Sequence, residues 1–301
     1  MSEWSETPER DLPDMLSVVV PALDCETVIE TQLDALAAQD YKGDWEVLVV
    51  DNGSTDGTIE VAKAYADRLP NLRIIDASSR RGVSHARNCG ARAADGDLFL
   101  ICDADDRVRP FWVRRMAEAS RTLDVIGGYL DTKQLNDVET RAWRNPFSSK
   151  ALPSGMLNHL PFAVGANVGV TRACFEAIDG WGEEYVCGGD DVDFSWRAQQ
   201  AGFRLGMAPG AVIDYRYRAG LSALYRQFLG YGLADPLVYL NHRSRGMPRS
   251  DPAAAARSWG RLLLRAPLLL TTRRRRGLWI RNFAFRWGRL RGSIRYRCLY
   301  L

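Results

Sequence analysis

Asp103-Ala-Asp105-Asp106 places three carboxylates within four positions, directly after the apolar run Leu98-Phe-Leu-Ile-Cys102. Carboxylates crowded in this way repel one another unless a cation joins them, and hard oxygen donors suit Mg2+ or Mn2+. An acidic surface turn would carry the same residues, so this short pattern alone leaves both readings open. Two more acidic sites stand elsewhere in the chain. Trp45-Glu-Val-Leu-Val-Val-Asp51 is another apolar run ending on aspartate, followed by the turn-rich Asn52-Gly-Ser-Thr-Asp-Gly-Thr58. Gly188-Gly-Asp190-Asp191-Val-Asp193 opens a helix, where the macrodipole favours negative charge. One aspartate there would be an ordinary N-cap. Three acids behind two glycines exceed what a cap requires.

The elements that must position these groups follow from the pattern of apolar residues. Leu16–Pro21, Trp45–Asp51, Leu72–Asp76 and Leu98–Cys102 read as strands, three of them apolar enough to be buried on both faces. Helices are expected between them, at about Glu26–Ala38, Thr58–Arg68 and Ser84–Ala94. Strands alternating with helices specify an α/β fold with a mostly parallel central sheet flanked by helices. In such sheets ligands gather at the carboxyl ends of the strands, which converges Asp24, Asp51 and Asp103 on one crevice. Further on, Phe162–Val170 reads as a strand, Arg172–Ile178 as a short helix, and Asp190–Ala201 as a helix stopped by Gly202. No Gly-x-Gly-x-x-Gly fingerprint and no P-loop is present, which argues against a dinucleotide enzyme and a P-loop nucleotidase.

The formal net charge of +3 hides an asymmetry. Residues 252–301 hold 13 arginines and no lysine, aspartate or glutamate, so the tail carries +13 and the rest −10. The six cysteines are scattered without a Cys-x-x-Cys pair, the pattern of reduced thiols rather than of a zinc site or a disulfide framework. The polar, acidic N-terminal residues 1–14 are expected to be disordered and are unlike a signal peptide. No apolar run approaches the roughly 20 residues needed to cross a bilayer. A cytoplasmic protein, peripheral on the inner face of the membrane, is the expectation.

Four blocks, in order, resemble the inverting family 2 glycosyltransferases of GT-A fold. They are Val18-Val-Val-Pro-Ala-Leu-Asp24, Val49-Val-Asp-Asn-Gly-Ser-Thr-Asp-Gly57, Gly82–Gly90 through Asp103–Asp106, and Gly165-Ala-Asn167 through Asp190-Asp191-Val-Asp193-Phe-Ser-Trp-Arg197. The resemblance covers about residues 16–220. It implies a GT-A domain at 15–220, with a nucleotide-binding half at 15–125 and an acceptor half at 126–220. A helical, arginine-rich extension at 221–301 would follow.

The resemblance also implies an activity: transfer of a sugar, with inversion, from a nucleoside diphosphate donor to a hydroxyl of a glycan or lipid-linked acceptor, as in cell-envelope glycan synthesis. Pro21, Leu23, Asp24, Asp51 and Asn52 match donor positions, and Asp103 one near the ribose. Asp105, with Asp103, matches the metal site. Asp191 matches the general base, which a helix N-terminus would help keep ionised. Trp181, Glu184 and Asp190 fall on the acceptor side. Arg87 either steadies the donor or is a solvated helix arginine. The chain departs from the family where Asp24 replaces a common Asn and Leu23 a common aromatic. Asp214 stands where many relatives have a histidine ligand, which leaves the third metal ligand open.

A sugar nucleotidyltransferase shares the sheet and the metal logic, but no Gly-rich, basic triphosphate loop follows the first strand. A non-catalytic, membrane-associated protein on a degenerate transferase fold would have no physical need for Asp103, Asp105 and Asp191 together. In the tail, helices are expected at Ser222–Tyr239, Ala253–Arg265 and Gly277–Arg297, with Arg273–Arg276 as a loop. Arginine mixed with Trp, Phe and Leu at helical spacing suits an anionic membrane surface, or a solvated face over the core. No recognised nucleic-acid module accompanies the charge, so no nucleic-acid partner is expected.

Overall fold

The computed structural model describes residues 9–154 and 159–301. Among the described residues, eight strands form one sheet in the order β3-β2-β1-β4-β7-β6-β8-β5. The first four are β1 (Met15–Ala22), β2 (Asp44–Asp51), β3 (Arg73–Asp76) and β4 (Leu98–Cys102), all parallel. The middles of β1, β2 and β4 are Val, Leu, Ile and Phe because both faces are covered, as a parallel sheet requires, while the edge strand β3 is only half-buried. Helices α1 (Ile29–Ala37) and α4 (Trp112–Ser120) cover one face through Ile29, Leu33, Leu36, Trp112 and Met116. Helices α3 (Val83–Ala93), α6 (Arg172–Ala177) and α7 (Asp190–Gln200) cover the other through Ala86, Ala91, Phe175 and Phe194. Each such large side chain contributes on the order of 1.5–3 kcal/mol by leaving water. The expected α/β architecture is therefore present.

The second half of the sheet is mixed. Strand β7 (Asn167–Thr171) runs antiparallel to both β4 and β6 (Val125–Asp131). Strand β8 (Leu205–Asp214) is parallel to β6, and the short β5 (Arg107–Val108) pairs antiparallel with its end. The apolar run 162–170 is not one strand. Only its second half joins the sheet, while Ala163 and Gly165 turn their amides toward α7, onto Ser195 Oγ at 3.1 Å and Asp191 Oδ2 at 3.4 Å. Buried Asn167 fixes the switch. It accepts from Trp112 Nε1 at 2.8 Å and donates to the carbonyls of Tyr129 and Ala211. The helix expected at 58–68 ends at Lys63, as α2 (Thr58–Lys63).

Of the N-terminal residues expected to be disordered, 1–8 lie outside the described residues, and Arg10 is tied to the body by Asp124 at 2.6 Å. At the other end, α8 (Leu221–His242), α9 (Pro252–Leu264) and α10 (Arg273–Arg295) form a helical layer, with one short helix, α5 (Val138–Ala142), beside it. Arg273–Arg276 is not a loop. It is the first turn of α10, capped by the Thr272 side chain. Helix α10 lies against α8 in the same sense, because Gly288 faces the Leu229 carbonyl and Gly292 faces Leu233 and Pro236. A Cβ at either glycine would enter the α8 backbone.

Candidate active site

The chain leaves β1 toward β2 and β3 on one side and returns to β4 on the other. That reversal opens a crevice at the carboxyl ends of β1 and β4. Pro21–Asp24 leave β1 there, Asp51 and Asn52 leave the neighbouring β2, and Asp103–Asp106 leave β4.

Asp103, Asp105 and Asp106 each offer an oxygen within 4.8 Å of the others. Asp106 is fully buried: its Oδ1 accepts from the Arg216 amide at 2.7 Å, and its Oδ2 has no partner among the described residues. Burial, then the charge of Asp103, pushes Asp105 up to about 6, and the same causes hold Asp106 well above the usual carboxylate range. A hard divalent cation would supply the missing partner and offset the repulsion, so the donor set fits Mg2+ or Mn2+. Arg216 donates through Nε to the Asp105 carbonyl at 2.7 Å, and its charge and that of Arg218 oppose the rise at Asp105.

Asp214 is not part of this cluster. The β5–β8 pairing sets Arg107 opposite it, and both its oxygens are taken, Oδ2 by Arg107 at 2.6 and 2.9 Å and Oδ1 by Arg109 at 2.7 and 3.1 Å. A carboxylate clasped by two guanidiniums has no oxygen to offer a cation, so Asp214 is withdrawn as the third ligand. Asp106 is the third carboxylate of the cluster.

Across the crevice, α7 begins after Gly188 and Gly189, whose φ of 117° and 87° lie in the left-handed region. A side chain at Gly188 would also meet the Tyr231 ring at 2.7 Å, so the turn packs directly on α8. None of the three acids that follow acts as a side-chain cap. Each has a different partner. Buried Asp190 accepts from Arg87 Nη1 at 2.7 Å, and Arg87 Nη2 donates to Asp103 at 3.2 Å. Arg87 is thus buried between the two sides of the crevice rather than solvated, and Gly165 is a glycine because a Cβ would lie 2.6 Å from that guanidinium. Asp193 points away, accepting from His242 Nε2 at 2.9 Å, Arg197 Nε at 2.7 Å and the Tyr185 hydroxyl at 3.2 Å.

Asp191, half-buried, accepts weakly from the Gly165 amide and from its neighbour's amide, Val192, at 2.9 Å. Burial, followed by the adjacent charge of Asp190, pushes it up to about 7, against the lowering by Arg87. The position at a helix start does not keep it in the ordinary carboxylate range. Desolvation outweighs the dipole here. Tyr231, hydrogen-bonded to Gln227 at 2.8 Å, stands close enough to feel the charges of both Asp191 and Asp190.

The remaining sequence-identified residues divide into lip, clamp and flank. Leu23 is exposed at the lip, Asp24 Oδ1 accepts from Thr55 N at 2.7 Å, and Asp51 Oδ1 accepts from Ser54 N at 2.9 Å. Asn52 has no group to spare. It donates to the Ala77 and Arg80 carbonyls and accepts from Gly82 N at 2.7 Å, which makes it a clamp on the loop before α3. Trp181 stacks on Phe194 at 4.1 Å in the core, and exposed Glu184 reaches Asn241. Both line a separate cavity of about 510 Å³ that none of Asp103, Asp105, Asp106 and Asp191 lines. Arg216, Tyr231 and the Asp193–His242 pair were not identified from the sequence, because each meets its partner only through the packing of β8 or α8.

Known proteins match this chain in sequence and in fold. The family model described as glycosyl transferase family 2 matches residues 17–179, just over half of the chain. Glycosyltransferase AglE of Haloferax volcanii is 28% identical over 216 residues, 71% of this chain and 70% of that protein. The uncharacterized glycosyltransferase EpsJ of Bacillus subtilis is 34% identical over 38% of this chain, a stretch that spans only 33% of EpsJ. Among solved structures, mannosyltransferase PcManGT from Pyrobaculum calidifontis, in complex with GDP-Man and Mn2+, superposes with a TM-score of 0.60 at 23% identity. The match covers 96% of this chain and 90% of that one. S. aureus TarS 1-349 in complex with UDP-GlcNAc superposes with a TM-score of 0.54 at 17% identity, over 95% and 93% of the two chains. At these identities the structural matches carry the fold alone.

Proposed function

This chain belongs to glycosyl transferase family 2, and from that premise we propose that it moves a sugar, with inversion, from a nucleoside diphosphate donor to an acceptor hydroxyl. The observation that carries the reading is the Asp103–Arg87–Asp190 bridge, which ties the acid cluster after β4 to the helix start that carries Asp191. Asp103, Asp105 and Asp106 would hold a divalent cation, whose chemistry when bound is to offset negative charge on a departing diphosphate. Arg216 and Arg218 add positive charge on the same side. Pro21, Leu23, Asp24 and Asp51 border the space for the nucleoside, with Asn52 holding the loop that closes it.

Asp191 then takes the proton of the acceptor hydroxyl as its oxygen attacks the anomeric carbon from the face opposite the leaving diphosphate. The carbon–oxygen bond to the diphosphate breaks as the new glycosidic bond forms, which inverts the anomeric centre. A base near neutrality is well matched to this task, since it is largely free at working pH yet strong enough to accept the proton. The complexes of PcManGT with GDP-Man and of TarS with UDP-GlcNAc support a nucleotide-sugar donor.

The test is Asp191→Asn. Removing only the base should reduce transfer, followed as released nucleoside diphosphate, by about a hundredfold or more. Affinity for the donor nucleotide, measured by calorimetry, should stay within a few fold. Near-normal turnover would take the base away from Asp191.

A further inference from the structure

Helices α9 and α10 form an antiparallel hairpin. Ser258 Oγ accepts from Arg286, Trp259 packs edge-on against Phe283, and Trp279 Nε1 donates to the Leu262 carbonyl. Along α10 the rings of Trp279, Phe283 and Trp287 stack in series, and Trp279 and Phe283 meet α9. The aromatic face that the sequence suggested for a surface is therefore largely used inside the hairpin.

The tip is different. Between the last turn of α9 and the first turn of α10, Leu263, Leu264 and Leu270 are 65%, 83% and 89% exposed, although leucines of this size are ordinarily covered. Arg261, Arg265 and Arg273–Arg276 surround them, all exposed. Among the described residues, only Arg273 of these six forms an ion pair, with Glu139. Among the described residues, no helix is long and apolar enough to cross a membrane.

We propose that this tip, Leu263 to Arg276, is a docking surface for a lipid bilayer containing anionic headgroups. Guanidiniums bind lipid phosphates through paired hydrogen bonds, and leucines among them can enter the acyl boundary at a depth a short helix tip reaches. Charge complementarity selects the anionic surface. The leucines select lipid over nucleic acid, since a duplex would cover the arginines and leave three apolar side chains in water. The inference does not depend on the role of Asp191.

Co-sedimentation of the full-length protein with phosphatidylcholine vesicles, with and without phosphatidylglycerol, tests it. Binding should require phosphatidylglycerol. Leu264→Ser with Leu270→Ser should weaken it by at least about tenfold at unchanged charge. Arg274→Gln with Arg275→Gln should weaken it by about fivefold for each charge removed. All four positions are exposed, so circular dichroism should be unchanged in both variants. Equal binding to neutral vesicles, full binding by the leucine variant, no binding to either vesicle, or tighter binding to an RNA or DNA duplex would each overturn the proposal.

Discussion

Arg87 and Asp190 form a buried ion pair at 2.7 Å, and the second nitrogen of the same guanidinium reaches Asp103 at 3.2 Å. One planar fork therefore holds α7 against the end of β4. Only arginine presents two parallel donors in this way.

Arg87→Lys keeps the charge and loses the fork. One of the two carboxylates would be left without its partner, and the separation of Asp191 from the acid cluster would relax. Turnover should fall by about a hundredfold, the scale of a misplacement of about 1 Å. Arg87→Met, which leaves the buried carboxylate of Asp190 unpaired, should also lower the free energy of unfolding by about 3–5 kcal/mol, read from urea denaturation. A lysine variant within twofold of wild type would remove Arg87 from any positioning role.

The pH profile follows from Asp191, which burial and Asp190 raise to about 7. A base works only when deprotonated, so kcat/KM, which reports the free enzyme, should rise with pH and level off above about 7. An acidic limb near 4, the ordinary carboxylate value, would contradict this. The same shift has a sign for stability. A carboxyl whose native value is raised costs nothing below its unfolded value near 4, and its cost grows as pH rises to about 7 and then stays. Asn carries no such cost. Asp191→Asn should accordingly melt higher than wild type at pH 8, with the gap closing toward pH 4.

Chelation should abolish transfer, and added Mn2+ or Mg2+ should restore it. Asp105→Asn should weaken Mn2+ binding in the presence of nucleoside diphosphate by more than about tenfold, by calorimetry. Asp214→Asn provides the contrast. It should leave Mn2+ affinity within a few fold and instead lower stability, because Arg107 and Arg109 lose a shared buried carboxylate.

Burial works to raise Asp193, but hydrogen bonds from His242 and Arg197 prevail and hold it below its usual value. Its contribution is therefore present above the unfolded carboxylate value, about 4, and is lost as pH falls through the lower native one. His242→Ala removes one of three donors to this buried carboxylate and should cost about 1.5–3 kcal/mol at neutral pH. The deficit should shrink in acid, as followed by denaturation between pH 3 and 7. A deficit independent of pH would assign the loss to packing alone.

Strands β1, β2 and β4 were legible because each carries a run of consecutive apolar residues, Val18–Val20, Val47–Val50 and Leu98–Cys102, the mark of burial on both faces. Strand β6 was not, since Gly127 and Gly128 interrupt its pattern to let Ala163, Leu152 and Asn167 pack against it. The run 162–170 misled for a different reason. Its first half is apolar because it lies over α7, and only Asn167 marks where pairing begins. Acid clusters could be found by local spacing. Which acid faces which partner could not, since Asp214 meets Arg107, and Asp193 meets His242, across long stretches of chain.

Helix α8 holds Asp193 through His242, backs the Gly188 turn with Tyr231, and receives α10 at Gly232, Gly288 and Gly292. The arginine-rich segment is thus not an appendage that can be trimmed or exchanged by itself. Shortening the chain to residue 220 would strip the His242 donor from a buried carboxylate one turn from Asp190, leaving it only Arg197 and Tyr185. A chimaera with a relative would have to transplant α7, α8 and α10 as a matched set.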